Sequence, residues 1–298
     1  MIGYIYTLIF LGAFMKIYEK LSFDEERALY GERDILVRDC SFDGPADGES
    51  AFKEGGEIVA EGCFFNLRYP FWHCDGIKIS DSNMTELCRA ALWYSSDIEI
   101  TDSNLHGIKA VRECERVNLE RCDVISPEFG WFSSDITAQN CKFVSEYFML
   151  RAKNIDFSDV EFKGKYSFQY IENSVFENCN LDTKDAFWHA KNVTVRNSVV
   201  KGEYLAWYAE NLTFENCRII GTQPLCYCKG LRLINCTMEG CDLSFEKSEV
   251  EAEIRGHIDS VKNAYGRISA DSIGEIINDC GSDCEILVID GEKAYANR

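Results

Sequence analysis

The chain has 298 residues, with 50 Asp and Glu against 31 Lys and Arg and a formal charge of −19. That balance excludes nucleic acid, which is gripped through dense Lys/Arg, and it disfavours a polyanionic glycan unless a local basic patch intervenes. Fifteen cysteines suggest a disulfide scaffold, a reading that their positions in the chain decide.

In chain order, residues 1–15 read as an apolar N-terminal extension. Ile2–Phe14 is too short to span a bilayer and lacks a basic n-region and a small-residue cleavage site. The expectation is that translation starts at Met15, with no membrane span.

Residues 16–249 repeat. Ser103, Cys122, Cys141, Val160, Cys179, Ser198, Cys217 and Cys236 are spaced nineteen residues apart, and Cys40, Cys63 and Ser82 precede them at intervals of nineteen to twenty-three. Apolar residues stand five and three before each anchor (Ile98 and Ile100, Val117 and Leu119, Val193 and Val195) and two after it (Leu105, Val124, Leu181). Such alternation is strand periodicity, and a fixed period of this size is a solenoid. One before the anchor stand Asp102, Asn140, Asp159, Asn178, Asn197, Asn216 and Asn235; six before it stand Asp97, Asp135, Asn154, Asn173, Asn192, Asn211 and Gly230. These types tolerate a left-handed backbone, so each coil turns sharply at two fixed places. Three short strands per coil predict an all-β protein, a single-stranded right-handed parallel β-helix of about eleven 19-residue coils. From about Val250 the register fails, with Lys247 and Arg255 falling on inward columns, and residues 250–298 read as a C-terminal cap of the same domain.

Seven cysteines (Cys40, Cys63, Cys122, Cys141, Cys179, Cys217, Cys236) occupy the anchor column, where Ser or Val stands in other coils. They read as small core residues with free thiols and a cytoplasmic location, not as staples. No histidine follows Cys226/Cys228 or Cys280/Cys284 at zinc spacing, so no metal and no cofactor are expected.

The third strand carries the candidate site. Trp72, Trp93, Trp131, Trp188 and Trp207 share a column, and the small residues beside them (Ala186/Ala190, Ala91/Ser95) predict that they face the core. Strict alternation then turns His73, Tyr94, Glu113, Phe132, Arg151, Tyr170, His189, Tyr208 and Tyr227 outward. The columns of Phe71, Leu92, Met149, Phe168, Phe187 and Leu225, and of Tyr69, Lys109, Glu128, Tyr147, Tyr166, Asp185 and Tyr204, turn outward with them. So aromatic a face exceeds what a monomer normally leaves bare.

The segments Arg27–Gly31, Arg89–Ser95, Gly221–Cys228, Gly256–Val261 and Asp271–Ile277 resemble the bacterial family called domain of unknown function 3737, from about residue 16 onward. The resemblance implies a pectin-lyase-like right-handed β-helix and no established activity. By that analogy of fold, the outward face of the sheet after the loose turn would be the site.

Three functions fit these residues. The first is binding of a saccharide or small partner through His73, Tyr94, Arg151, Tyr170, His189, Tyr208 and Tyr227, since sugars stack on rings and take directed hydrogen bonds. The second is a carbohydrate-active enzyme, with Glu113 and Glu128 as a hydrolase pair, or His189, Asp185 and Arg151 as a lyase base and charge neutraliser. The third is a structural protein that forms a homo-oligomer through this sheet. Whether the chain is an enzyme stays open at this level.

Overall fold

Left-handed residues stand where the Asn/Asp/Gly columns require them. Asp102, Asn140, Asp159, Asn178, Asn197, Asn216 and Asn235 have φ between 49° and 55°, as do Asp97, Asp135, Asn154, Asn173, Asn192 and Asn211 at the other corner. Between these corners the chain forms parallel strands. The computed structural model describes residues 3–10, 13–290 and 293–297 and shows a right-handed parallel β-helix of about fourteen turns. The expected eleven coils fall short because further rungs lie outside the anchors Cys40 to Cys236: Ala13–Glu19 pairs with Arg33–Arg38 at the 19-residue spacing, and after Cys236 the spacing shortens, with Val250 opposite Gly266. No helix among the described residues is long and apolar enough to cross a membrane.

Two compact units are present, Met1–Ser145 and Glu146–Arg298. In the first, the long sheet runs from Ala13–Glu19 through Arg33–Arg38, Gly56–Glu61, Asp75–Ser80, Ser96–Thr101 and Glu115–Glu120 to Ser134–Gln139. Its rungs are in register, Ile98 opposite Val117 and Ile100 opposite Leu119. Tyr4–Phe10 pairs antiparallel with Ala13–Glu19. The second unit continues the same plan in Lys153–Ser158, Glu172–Glu177, Lys191–Arg196, Glu210–Glu215 and Leu231–Glu239. Glu249–Lys262, Tyr265–Ile277 and Cys284–Asp290 remain in parallel register, and Lys293–Asn297 turns back antiparallel.

Identical columns bring like side chains together inside. Phe23, Phe42 and Phe65 stack at 5.1 and 5.0 Å in the first unit, and Phe168 lies on Phe187 at 4.9 Å in the second. The seven anchor cysteines are all buried and free. Their role exceeds that of a small apolar filler. At this corner a backbone N–H points to the next coil's anchor and is accepted by its sulfur or hydroxyl: Cys122 N–H by Cys141 Sγ at 3.4 Å, Cys179 N–H by Ser198 Oγ at 2.9 Å. Cys217 Sγ in turn donates toward the carbonyls of Val195 and Glu215, each at 3.3 Å. A side chain that both donates and accepts satisfies this turn, and Cys or Ser stands at every anchor from Cys40 to Cys236 except Val160. Asparagine ladders tie the corners of the second unit from outside, Asn211 to Asn192 at 3.0 Å and Asn216 to Asn197 at 3.1 Å. In the first unit Arg116 and Arg121 do this work, each with a bidentate grip on Asp97 or Asp102.

Candidate functional site

The third segment is not a regular strand, and this corrects the inside–outside assignment of its columns. In the second unit Tyr166, Phe168 and Tyr170, and likewise Asp185, Phe187 and His189, alternate with φ between 51° and 58°. With every other residue left-handed, consecutive residues no longer point to opposite faces. Ala186 and Phe187 both turn inward and are fully buried, while Trp188 is only half-buried. Phe71, Leu92, Met149, Phe168, Phe187 and Leu225, expected outside, are core residues at 0% exposure. The tryptophans, expected inside, lie on the outer surface. Asp185 is also pulled in, to 8% exposure, and burial raises its carboxyl above the ordinary range.

The neighbouring column does face out. In the second unit it forms an unbroken stack: the Arg151 guanidinium lies 4.7 Å from the Tyr170 ring centre, followed by Tyr170–His189 at 4.7 Å, His189–Tyr208 at 5.1 Å and Tyr208–Tyr227 at 4.9 Å. Interplanar angles of 9° to 13° make the rings near-parallel. Because each ring's faces are covered by its neighbours, the edges meet solvent, with Tyr170 38% and Tyr208 46% exposed. Beside this stack run Trp188 and Trp207, 5.5 Å apart, with Tyr204 edge-on to Trp207 at 5.4 Å. Tyr227 closes against Trp207 at 5.6 Å. Its hydroxyl donates to Glu246 at 3.4 Å, and burial, then Glu246, raises its pKa.

The first unit builds a different version. Trp72 stacks on Trp93 at 5.9 Å, Lys53 covers Trp72 at 4.0 Å, and Arg112 lies between Trp93 at 5.8 Å and Trp131 at 5.3 Å. In the outer column His73 stacks on Tyr94 at 5.0 Å, and the Tyr94 hydroxyl is bonded to Glu113, which raises its pKa. Glu113 and Glu128 do converge, but on Arg112, at 3.2 and 3.9 Å, with Lys109 also 3.6 Å from Glu128. Both carboxylates therefore balance cations. Phe132 is exposed, with Arg112 6.0 Å from its ring. The Tyr94 hydroxyl and the Glu113 and Glu128 carboxylates are thus spent within the chain. In the second unit the side chains of Tyr170, His189 and Tyr208 make no hydrogen bond or ion pair among the described residues.

Two further polar side chains have structural roles. Gln169, in the tryptophan column, donates to the Asp185 carbonyl at 3.0 Å. His257 bonds Ser272 at 2.8 Å. No group of three His, Cys, Asp or Glu suited to a metal ion occurs among the described residues. Sequence reasoning missed Lys247, assigned inward with Arg255; both are exposed. Lys247 follows Tyr227 after twenty residues instead of nineteen, and its φ of 53° matches that of Arg151, Tyr170, His189, Tyr208 and Tyr227 (55° to 62°). It is the next member of the outer column. The signal was the left-handed position after the Tyr227–Glu246 backbone bond, hidden by the one-residue insertion.

A family model described as "Protein of unknown function (DUF3737)" matches residues 16–286. No curated protein matches the chain. Similar solved structures include the A-module of mannuronan C-5 epimerase AlgE4 from Azotobacter vinelandii, at 9% identity over 90% of this chain and 88% of that chain, with a TM-score of 0.32. PfbA, a surface adhesin of Streptococcus pneumoniae, is similar at 8% identity over 94% and 86%, TM-score 0.33. The catalytic domain of a GH87 α-1,3-glucanase in complex with nigerose is similar at 11% over 78% and 58%, TM-score 0.27. These likenesses concern chain path alone.

Proposed function

We propose that this chain, which belongs to the DUF3737 family of unknown function, is a recognition β-helix that binds a saccharide along the outer column of its second unit. The observation that carries this reading is the set of three consecutive ring edges, Tyr170 and Tyr208 exposed and His189 half-buried between them, whose side chains have no hydrogen-bond partner among the described residues. A row of donor–acceptor groups with one-coil spacing, bedded on tryptophans, offers directed hydrogen bonds to the hydroxyls of an extended chain. Stacking holds the rings before a ligand arrives, so little side-chain entropy is lost on binding. Binding is favoured over catalysis because the carboxylate pair Glu113 and Glu128 is engaged by Arg112 and Lys109.

A glycan array probed with the wild-type chain and with Tyr170→Phe/Tyr208→Phe tests this. The substitution keeps the stacked rings and removes only the hydroxyls. Glycans retained by the wild type and lost by the variant support the reading. An array without a hit, or with hits indifferent to the substitution, overturns it; light scattering that shows a dimer broken by the same change would assign the face to self-association instead.

A further inference from the structure

Beyond Tyr227 the outer column opens into a cavity of about 450 Å³ lined by Tyr208, Tyr227, Lys229, Lys247, Glu249 and Tyr265, a size that suits a small ligand or one end of a longer one. Its two lysines are unusual for this protein. Lysines on the neighbouring columns of the unit are paired across coils: Lys153 with Glu172 at 3.0 Å, Lys184 with Glu203 at 2.9 Å, Lys191 with Glu210 at 3.2 Å, Lys201 with Asp182 at 3.3 Å.

Lys229 is the odd member of such a ladder. Lys153, Glu172, Lys191, Glu210 and Lys229 alternate in sign along one column, the first four close into two pairs, and the next coil supplies Ser248, whose hydroxyl donates to the Leu225 carbonyl at 2.7 Å. Lys229 thus has no carboxylate within ion-pair distance among the described residues. Among the described residues Lys247 has none either; the adjacent Glu246 is taken by Lys262 at 3.1 Å. Two unneutralised ammonium groups beside three tyrosines, in a chain of charge −19, form a local inversion of sign. Glu249, on the same wall, limits it to one small anion and disfavours a polyanion.

We propose that Lys229 and Lys247 form an anion subsite that takes the single carboxylate or phosphate of a saccharide whose body lies on the Tyr208–Tyr227 end of the ladder. This deepens the recognition reading and rests on it. The lysines act as charge partners and supply N–H donors, while the tyrosine edges take the hydroxyls of the ring.

The test is an NMR titration of the full chain with D-glucuronate, glucose 1-phosphate and glucose. It is repeated on Lys229→Met/Lys247→Met and on Lys163→Met, an exposed lysine outside the cavity. One or both anionic sugars bind at least about tenfold tighter than glucose, as a charge-assisted contact implies, with shifts at Tyr227 and Tyr265. The double variant loses that advantage and Lys163→Met keeps it. Which anion is preferred separates a uronate from a sugar phosphate. Glucose binding as tightly as both anions, no binding of either anion, or a double variant with unchanged affinity overturns the subsite. Failure of the ladder itself is read separately, from neutral-glycan binding that survives Tyr170→Phe/Tyr208→Phe.

Discussion

Trp188 lies on Trp207 with 5° between the ring planes, and each indole N–H donates to a backbone carbonyl sixteen residues on, Trp188 to Tyr204 at 2.6 Å and Trp207 to Gln223 at 2.9 Å. Gln169 makes the same bond to Asp185, so this column zips successive coils together from outside the core. The corresponding N–H groups of Trp72 and Trp93 have no acceptor among the described residues; Trp93 follows Trp72 after twenty-one residues instead of nineteen, and Tyr69 packs against both rings. Trp188→Phe should therefore destabilise the protein by about 1–2 kcal/mol, the worth of a hydrogen bond and part of a stack. Denaturant unfolding checks the value. A loss of more than about 4 kcal/mol, typical of an emptied core, would return the tryptophans to the interior.

The anchor column makes a second prediction. Ser198→Ala removes the acceptor of the Cys179 N–H and should cost about 1–3 kcal/mol, since a buried donor is left unpaired. Ser198→Cys should be close to neutral, because sulfur fills that role at Cys141. Equal losses for both substitutions would remove the polar role assigned to this column.

Buried thiols also set an alkaline limit. Burial pushes Cys63, Cys74, Cys226, Cys228 and Cys241 from an ordinary value of 9.0 to about 12. An acid whose folded pKa is raised contributes stability that is complete below its unfolded value and disappears as pH rises through the folded one. Stability should accordingly fall between about pH 9 and pH 12, and a native thiol-reagent assay at pH 8 should label Cys280, the exposed cysteine, well before the buried ones. Full labelling of the folded chain at pH 8 would contradict this.

Asp185 gives a prediction of the same sign at acid pH. Its carboxyl is raised by burial, so its contribution to stability is present below the ordinary value of 3.8 and is lost as pH rises through the folded one. Asp185→Asn should raise Tm at pH 7 and change it little at pH 3. A variant less stable at pH 7 would mean that the carboxylate has a partner.

How much of this was legible follows from geometry. Period, fold class, inward cysteines and the exposed or half-buried run from His73 to Tyr227 could be read because every coil repeats the same position, and a column averages out the peculiarities of one residue. The tryptophans were misplaced because alternation holds only for extended backbone, and left-handed residues such as Phe187 and His189 put Ala186 and Phe187 on the same side. The composition of that segment announced it only weakly, through Asp185 and His189, since Phe and Tyr are not residues that favour positive φ. Lys247 escaped through a single insertion. Of the site chemistry, the residues were legible and their pairing was not: that Glu113 and Glu128 share Arg112, while Tyr170 and His189 have free edges, depends on side-chain positions that no spacing specifies.

The central claim, that the Tyr170–His189–Tyr208 edge is a recognition surface, is tested most directly by hydroxyl-radical footprinting with and without the strongest glycan from the array. Protection concentrated at Tyr170, His189 and Tyr208, with Tyr30, 49% exposed in the first unit, unchanged, is the predicted result. Unaltered labelling of those three residues with protection elsewhere on the chain would contradict it.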